Sequence, residues 1–112
     1  MRGKSILMAL LLLMAGWAQA HPPSEIQLTS QGRVVTIKVL HHTQDVLKHF
    51  IVEVSVLQND KLILKQTFSQ QSDADEQDAI YTIPSLKAGD ILTVKATCNI
   101  FGNKIKKFTI KK

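Results

Sequence analysis

The sequence predicts an all-β domain, a seven-stranded immunoglobulin-like sandwich of two antiparallel sheets, set behind an N-terminal export signal. Three observations predict it. Beyond residue 20 the apolar residues recur with a period of two, not 3.6. Turn-forming clusters interrupt the chain roughly every eight to twelve residues. The segments between them are rich in Val, Ile and Thr, which suit a pleated, half-buried surface.

Residues 1–20 carry the marks of a signal peptide. Arg2 and Lys4 form a short basic start, Ile6–Ala15 is an unbroken apolar run, and Ala18-Gln19-Ala20 offers small residues for cleavage after Ala20. The run is too short for a membrane anchor, and no later stretch is long and apolar enough to span a bilayer. No cysteine follows it to carry a lipid. The expected product is residues 21–112, released into a periplasm or secreted, with no membrane anchor; the short leader and the absence of disulfide pairs suggest a bacterial source. Cleavage removes Met1, Met8, Met14 and Trp17, so the product has neither Met nor Trp, and the formal net charge falls from +5 to +3. That mild positive charge, without interleaved aromatic residues, does not describe a nucleic-acid-binding surface.

The strands follow in order. Glu25–Ser30 is the first, closed by Gln31-Gly32. Val34–Leu40 is the second, with Val35, Ile37 and Val39 on one face. Phe50–Gln58 is the third; its alternation groups Phe50, Val52, Val54 and Val56 against Ile51, Glu53 and Ser55. Asn59-Asp60 is a hairpin turn into Lys61–Phe68. Ser69–Asp78 is read as a solvated acidic loop; Asp73, Asp75, Glu76 and Asp78 suggest calcium, but the EF-hand spacing and its central glycine are missing. Ala79–Ile83 is a short strand stopped by Pro84, Ile91–Cys98 directs Leu92, Val94, Ala96 and Cys98 to one side, and Lys104–Ile110 closes the chain. The terminal Lys104, Lys106, Lys107, Lys111 and Lys112 are expected to form a solvated edge that resists further strand pairing.

The chemistry-bearing residues fall on a pattern. If consecutive strands reverse, His21 before strand 1, His41 at the end of strand 2, His49 at the start of strand 3 and Cys98 at the end of strand 6 all lie at one pole. Imidazoles and a thiolate are natural ligands for iron, copper or zinc. Cys98 is the single cysteine, so no internal disulfide can form; a buried inert thiol, an intermolecular bridge and a metal thiolate are the open readings.

The segment Thr97-Cys98-Asn99-Ile100-Phe101-Gly102 resembles the Cys-Asn-x-His-Gly segment of superoxide reductases, the desulfoferrodoxin and neelaredoxin family. The pair His41 and His49, with Lys48-His49-Phe50-Ile51 entering a strand, resembles that family's second and third histidines, and His21-Pro22-Pro23 resembles its first. The likeness covers most of the exported chain in the right order and is nearest to short exported desulfoferrodoxin-like members. It implies an immunoglobulin-like iron domain with one Fe2+/Fe3+ centre per chain. Cys98 would be the axial thiolate, His21, His41 and His49 the imidazoles, superoxide the substrate and an unidentified electron donor a partner, with a homo-oligomer possible. There are departures. Phe101 stands where the family has its fourth histidine, and phenylalanine cannot coordinate a metal. His42 stands where the family has proline, and is the candidate substitute ligand. The family's Glu-Lys pair before the first histidine is missing, which leaves Lys48 as the candidate for attracting superoxide.

Other functions compete. Cleavage before His21 would free an α-amine that, with the His21 ring, suits a copper site; three histidines and Cys98 suit structural zinc. A blue-copper carrier is disfavoured by the missing axial Met. Immunoglobulin-like sandwiches also serve as metal-free binding modules. Hydrolysis has little support: no Ser-centred elbow is present, and although Cys98 with His41 or His49 could form a thiol–base pair, nothing in the spacing favours that over metal binding.

Overall fold

In β2 (Val34–Leu40), Val35, Ile37 and Val39 are fully buried while Val34 and Lys38 are exposed, so the period-two alternation makes one wet and one dry face. The same division recurs in β6 (Ile91–Cys98), where Leu92, Val94, Ala96 and Cys98 all face the interior. The computed structural model describes residues 21–111, and the signal peptide expected over residues 1–20 lies outside the described residues.

The remaining strands are β1 (Glu25–Gln31), β3 (Ile51–Gln58), β4 (Lys61–Thr67), β5 (Glu76–Thr82) and β7 (Asn103–Thr109). They form the expected two antiparallel sheets, one of order β1-β2-β5 and one of order β4-β3-β6-β7. Between the sheets Ile26, Ile37, Val54, Val56 and Val94 are closed to solvent. Asn59 and Asp60 both have positive φ (50° and 70°), as a tight β3–β4 hairpin requires.

Two expectations are corrected. β5 begins at Glu76, not Ala79, because Glu76, Gln77 and Asp78 pair with Leu40, Val39 and Lys38 of β2. The three polar residues concealed this continuation; Gln77 is buried, and its Oε1 accepts the Ser72 N–H at 3.1 Å. The alternation expected along the third strand also breaks. Ile51 pairs with Cys98 and Glu53 with the adjacent Thr97, so Val52 is an extra residue in a β-bulge. Inward parity passes from Val54 to Ile51, which is fully buried, in place of Val52 and Phe50.

Two of the terminal lysines differ from expectation, while Lys107 and Lys111 are exposed as expected and Lys112 lies outside the described residues. Lys104 and Lys106 share the parity of Phe108 and Ile110 and are half-buried, whereas Lys107 is exposed. Lys106 closes the open side of the sandwich, its Nζ 3.1 Å from Glu25 Oε1 and 5.4 Å from the centre of the Phe108 ring. The Ile26 N–H, and then Lys106, hold the Glu25 carboxyl below its usual range.

The pole opposite the histidines is tied by Asp90, which is 3% exposed. Its carboxylate accepts from Gln58 Nε2 at 2.8 Å, Asn59 Nδ2 at 3.0 Å, the Lys87 N–H at 3.0 Å and Lys87 Nζ at 3.0 Å. These bonds, that from Asn59 foremost, hold Asp90 well below the ordinary carboxylate range. Its stabilisation is therefore complete above the unfolded-state value, near 3.8, and is lost as pH falls through the lower folded-state value. Asp90→Asn should lower stability near neutral pH and flatten the rise of stability with pH between about 2 and 5, read by urea unfolding across that range. An unchanged slope would show that Asp90 is not a major acid-sensitive tie.

Candidate metal centre

The inward row of β2 continues one step past the strand, from Val35, Ile37 and Val39 to His41, which is fully buried. The inward row of β6 ends in Cys98, 4% exposed. The bulge at Val52 gives Ile51 the inward position, and two residues outward on the same parity lies His49. Three rows of core residues thus end in two imidazoles and a thiol at one pole. One candidate ligand atom from each of His41, His49 and Cys98 lies within 4.8 Å of the others. Ligand atoms about 2.1–2.3 Å from a shared ion stand at most about 4.4 Å apart, so this spacing is close to that of a mononuclear site.

The donor set fits a metal on a second count. His41 Nε2 and His49 Nε2 are both buried and have no hydrogen-bond partner. Buried polar atoms are rarely left unpaired, and leaving one so costs about 1–3 kcal/mol. A cation between the two, beside the thiol, would satisfy both. Burial, with the neighbouring His41 and His21 rings, holds His49 below the ordinary histidine value and so favours the neutral, coordinating imidazole.

His21 lies beside this group without joining the three convergent ligand atoms, its ring centre 5.3 Å from that of His41 and 5.9 Å from that of His49; the His41 and His49 centres are 4.7 Å apart. The arm that carries His21 is seated through Pro22 on Gly102. A Cβ at Gly102 would lie 2.6 Å from Pro22 Cβ, and Gly102 has φ +81°, so both space and backbone require glycine there. The Ser24 N–H donates to the Leu40 carbonyl at 2.9 Å and continues the pairing to the edge of the site. His21 Nδ1 lies 3.0 Å from the Pro22 carbonyl oxygen.

His42 is not brought into the cluster. Its parity is outward, its side chain is 70% exposed, and its Nδ1 lies 3.2 Å from Asp75 Oδ1. It does line, with His21, Thr43, Gln44, Asp45 and His49, an open pocket of roughly 310 Å3. Lys48 is exposed on the turn before His49, a turn closed by the His49 N–H donating to the Asp45 carbonyl at 2.9 Å. Phe101, in the position of the family's fourth histidine, is 60% exposed and is not among the pocket-lining residues.

Sequence reasoning missed the residues that hold the site together. Asn99 ties the Cys98 turn to the His49 turn: its Oδ1 accepts the Phe50 N–H at 2.9 Å, its Nδ2 donates to the Lys48 carbonyl at 2.9 Å, and its own N–H donates to the Phe50 carbonyl at 3.0 Å. Cys98 Sγ accepts the Ile100 N–H at 3.4 Å and lies 4.0 Å from Asn99 Oδ1. Asn99 and Gly102 were visible in the Cys-Asn-Ile-Phe-Gly segment but carried no assigned role. Gln71 gave no signal at all, being one Gln in a polar loop, yet it is 4% exposed and bonds directly to His41. The loop that reads as solvated is a buttress. The His41 N–H donates to the Asp75 carbonyl at 2.9 Å and the Thr43 N–H to the Ala74 carbonyl at 2.8 Å. Asp73, a candidate calcium ligand, spends Oδ1 on the N–H groups of Asp75 and Glu76.

No family model and no curated protein sequence matches this chain. Solved structures do. A superoxide reductase (1Fe-SOR) from Giardia intestinalis superposes with a TM-score of 0.61 at 18% identity, over 82% of this chain and 99% of that one. A hypothetical protein from Pyrococcus horikoshii OT3 superposes with a TM-score of 0.56 at 20% identity, over 83% and 90%. The chain therefore has the fold of a superoxide reductase, which is the fold the sequence resemblance implied.

The Pro22 seat is open to test. Gly102→Ala should cost about 1–3 kcal/mol of stability through overpacking and a strained positive φ. It should also release the arm, so that the His21 ring signals lose their dependence on His41 and His49 in NMR spectra. A variant of unchanged stability with His21 still in place would refute the seat.

Proposed function

We propose that the exported chain is a periplasmic mononuclear non-haem iron protein that reduces superoxide to hydrogen peroxide, with Cys98, His41, His49 and His21 as the metal ligands. The observation that carries this reading is the convergence of His41, His49 and Cys98, in which two buried imidazole nitrogens lack any partner within the protein. The likeness of the fold to a superoxide reductase supports iron over the alternatives, copper and zinc.

When bound, ferrous iron supplies the one electron that, with two protons, converts superoxide to hydrogen peroxide, and an external donor of one electron restores it. The chain's own residues do the rest. Cys98 would offer its sulfur as a ligand from the dry end of β6, with the Ile100 N–H 3.4 Å from it. The open pocket over His21 and His49 gives a small anion access from solvent. Lys48 draws that anion inward by its charge, an effect that salt weakens. With Phe101 turned out to solvent, the fourth imidazole of the family has no counterpart at its position, and His42, on the pocket rim, is the nearest further histidine.

Anaerobic titration with ferrous iron of protein purified after export should give one iron per chain. The oxidised form should show a thiolate-to-iron charge-transfer band that Cys98→Ser abolishes. A stoichiometric copper or zinc complex in place of iron, or a band indifferent to Cys98, would move the function to a non-catalytic metal protein. Uptake of no metal would leave a metal-free binding module.

Lys48→Gln should slow reaction with superoxide several-fold at low ionic strength, and the difference should shrink as salt is raised. Stopped-flow rates in a salt series measure this; an equal, salt-independent rate would remove Lys48 from the reaction.

A further inference from the structure

We infer that Gln71 is the positioning residue that fixes His41 as its Nδ1–H tautomer and so presents the bare Nε2 to the His49–Cys98 cluster. The inference deepens the iron reading, but it concerns the apo chain and can be tested without metal.

The hydrogen-bond pattern determines the tautomer. Gln71 makes four side-chain contacts from a nearly closed position: Oε1 lies 2.8 Å from His41 Nδ1 and 3.2 Å from the Ile51 backbone N, and Nε2 lies 2.7 Å from the His41 carbonyl and 2.9 Å from the Asp73 carbonyl. A backbone N–H can only donate and a backbone carbonyl can only accept. The amide oxygen must therefore face Ile51, and the amide nitrogen must face the two carbonyls. Flipping the amide would set an NH2 group against the Ile51 N–H and an oxygen against two carbonyl oxygens, spoiling three contacts at once. With the orientation fixed, the group facing His41 Nδ1 is an acceptor, so Nδ1 carries the proton.

The other tautomer is penalised, because a lone pair on Nδ1 would face the lone pairs of the Gln71 oxygen at 2.8 Å. Metal-binding histidines are commonly oriented in this way by an acceptor on the far ring nitrogen. Here the acceptor is a neutral amide, so the ring is fixed without placing a carboxylate charge beside Cys98. Gln71 also joins three elements. Its side chain reaches the end of β2 and the start of β3, and its backbone N–H donates to the Val46 carbonyl at 3.0 Å in the loop that leads to His49. The β4–β5 crossover is thereby coupled to the orientation of both candidate imidazoles.

The test is long-range 1H–15N NMR of the histidine rings in metal-stripped protein at neutral pH, with Gln71→Leu alongside. Wild-type His41 should show a protonated Nδ1 and a bare Nε2. Gln71→Leu, which keeps bulk but removes the acceptor, should shift His41 toward the Nε2–H form and lower ferrous-iron affinity by about 10–100-fold. An Nε2–H tautomer in the wild type overturns the inference, and so does an unchanged Nδ1–H population in Gln71→Leu. If Gln71→Leu fails to fold, the wild-type spectrum decides alone. An Nδ1–H His41 in a protein that takes up no iron would refute the iron reading and leave this inference standing. Iron uptake with an Nε2–H His41 would do the reverse.

Discussion

Ile51 lies opposite Cys98 across the central strand pair of the larger sheet, and the arrangement of the site follows from that register. Each of these strands buries one face, so a slip of one residue would turn the whole row outward. The bulge at Val52 makes such a slip locally, once, and on the side of the site. Without it the inward row of β3 would run from Val56 through Val54 and Val52 to Phe50, and its next position would be Lys48. With it the row ends through Ile51 at His49. A single unpaired residue therefore decides whether an imidazole or an ammonium group stands beside the Cys98 thiol.

The pole is held by polar contacts and the body by apolar ones. Ile26, Ile37, Val54, Val56, Leu92 and Val94 fill the space between the sheets, where burial of apolar surface contributes roughly 25 cal/mol per Å2. Toward the histidines this core gives way to amide side chains, Gln71 buried and Asn99 at the surface. Gln71 and Asn99 each use both ends of the side-chain amide, and each binds a loop to the neighbouring one. A buried polar group stabilises only when it is satisfied, and Gln71 is. At the centre the His41 and His49 Nε2 atoms are left without a partner, which suits a place kept for a ligand from outside the chain. At the opposite pole Asp90 plays the equivalent part, with a carboxylate saturated by donors from two turns.

The acidic crossover shows why composition misleads about loops. Asp73, Asp75, Glu76 and Asp78 read as a solvated charge run, and some of their side chains are exposed. The backbone beneath them carries the structure, since its carbonyls at Ala74 and Asp75 continue the β2 edge past its last strand residue and hold His41 and Thr43 in place. Side-chain polarity reports nothing about where backbone carbonyls point.

The alternation of Val, Ile and Leu determined the number of strands and the dry face of each, because a period of two is that of a strand, and two antiparallel sheets were the economical way to bury seven such faces. Counting strand reversals also gathered His21, His41, His49 and Cys98 at one pole, since direction along a strand is a property of chain order alone. Tertiary structure decided what depends on partners remote in sequence. The bulge arises from pairing between residues 51–53 and 97–98, and no local pattern announces it. Gln71 acquires its importance only by meeting a ring 30 positions earlier in the chain. Gly102 needs its missing Cβ because Pro22 packs on it from the other end of the domain. Periodicity encodes which face of a strand is dry; the identity of the atoms that meet across that dry space is fixed only when the sheets close.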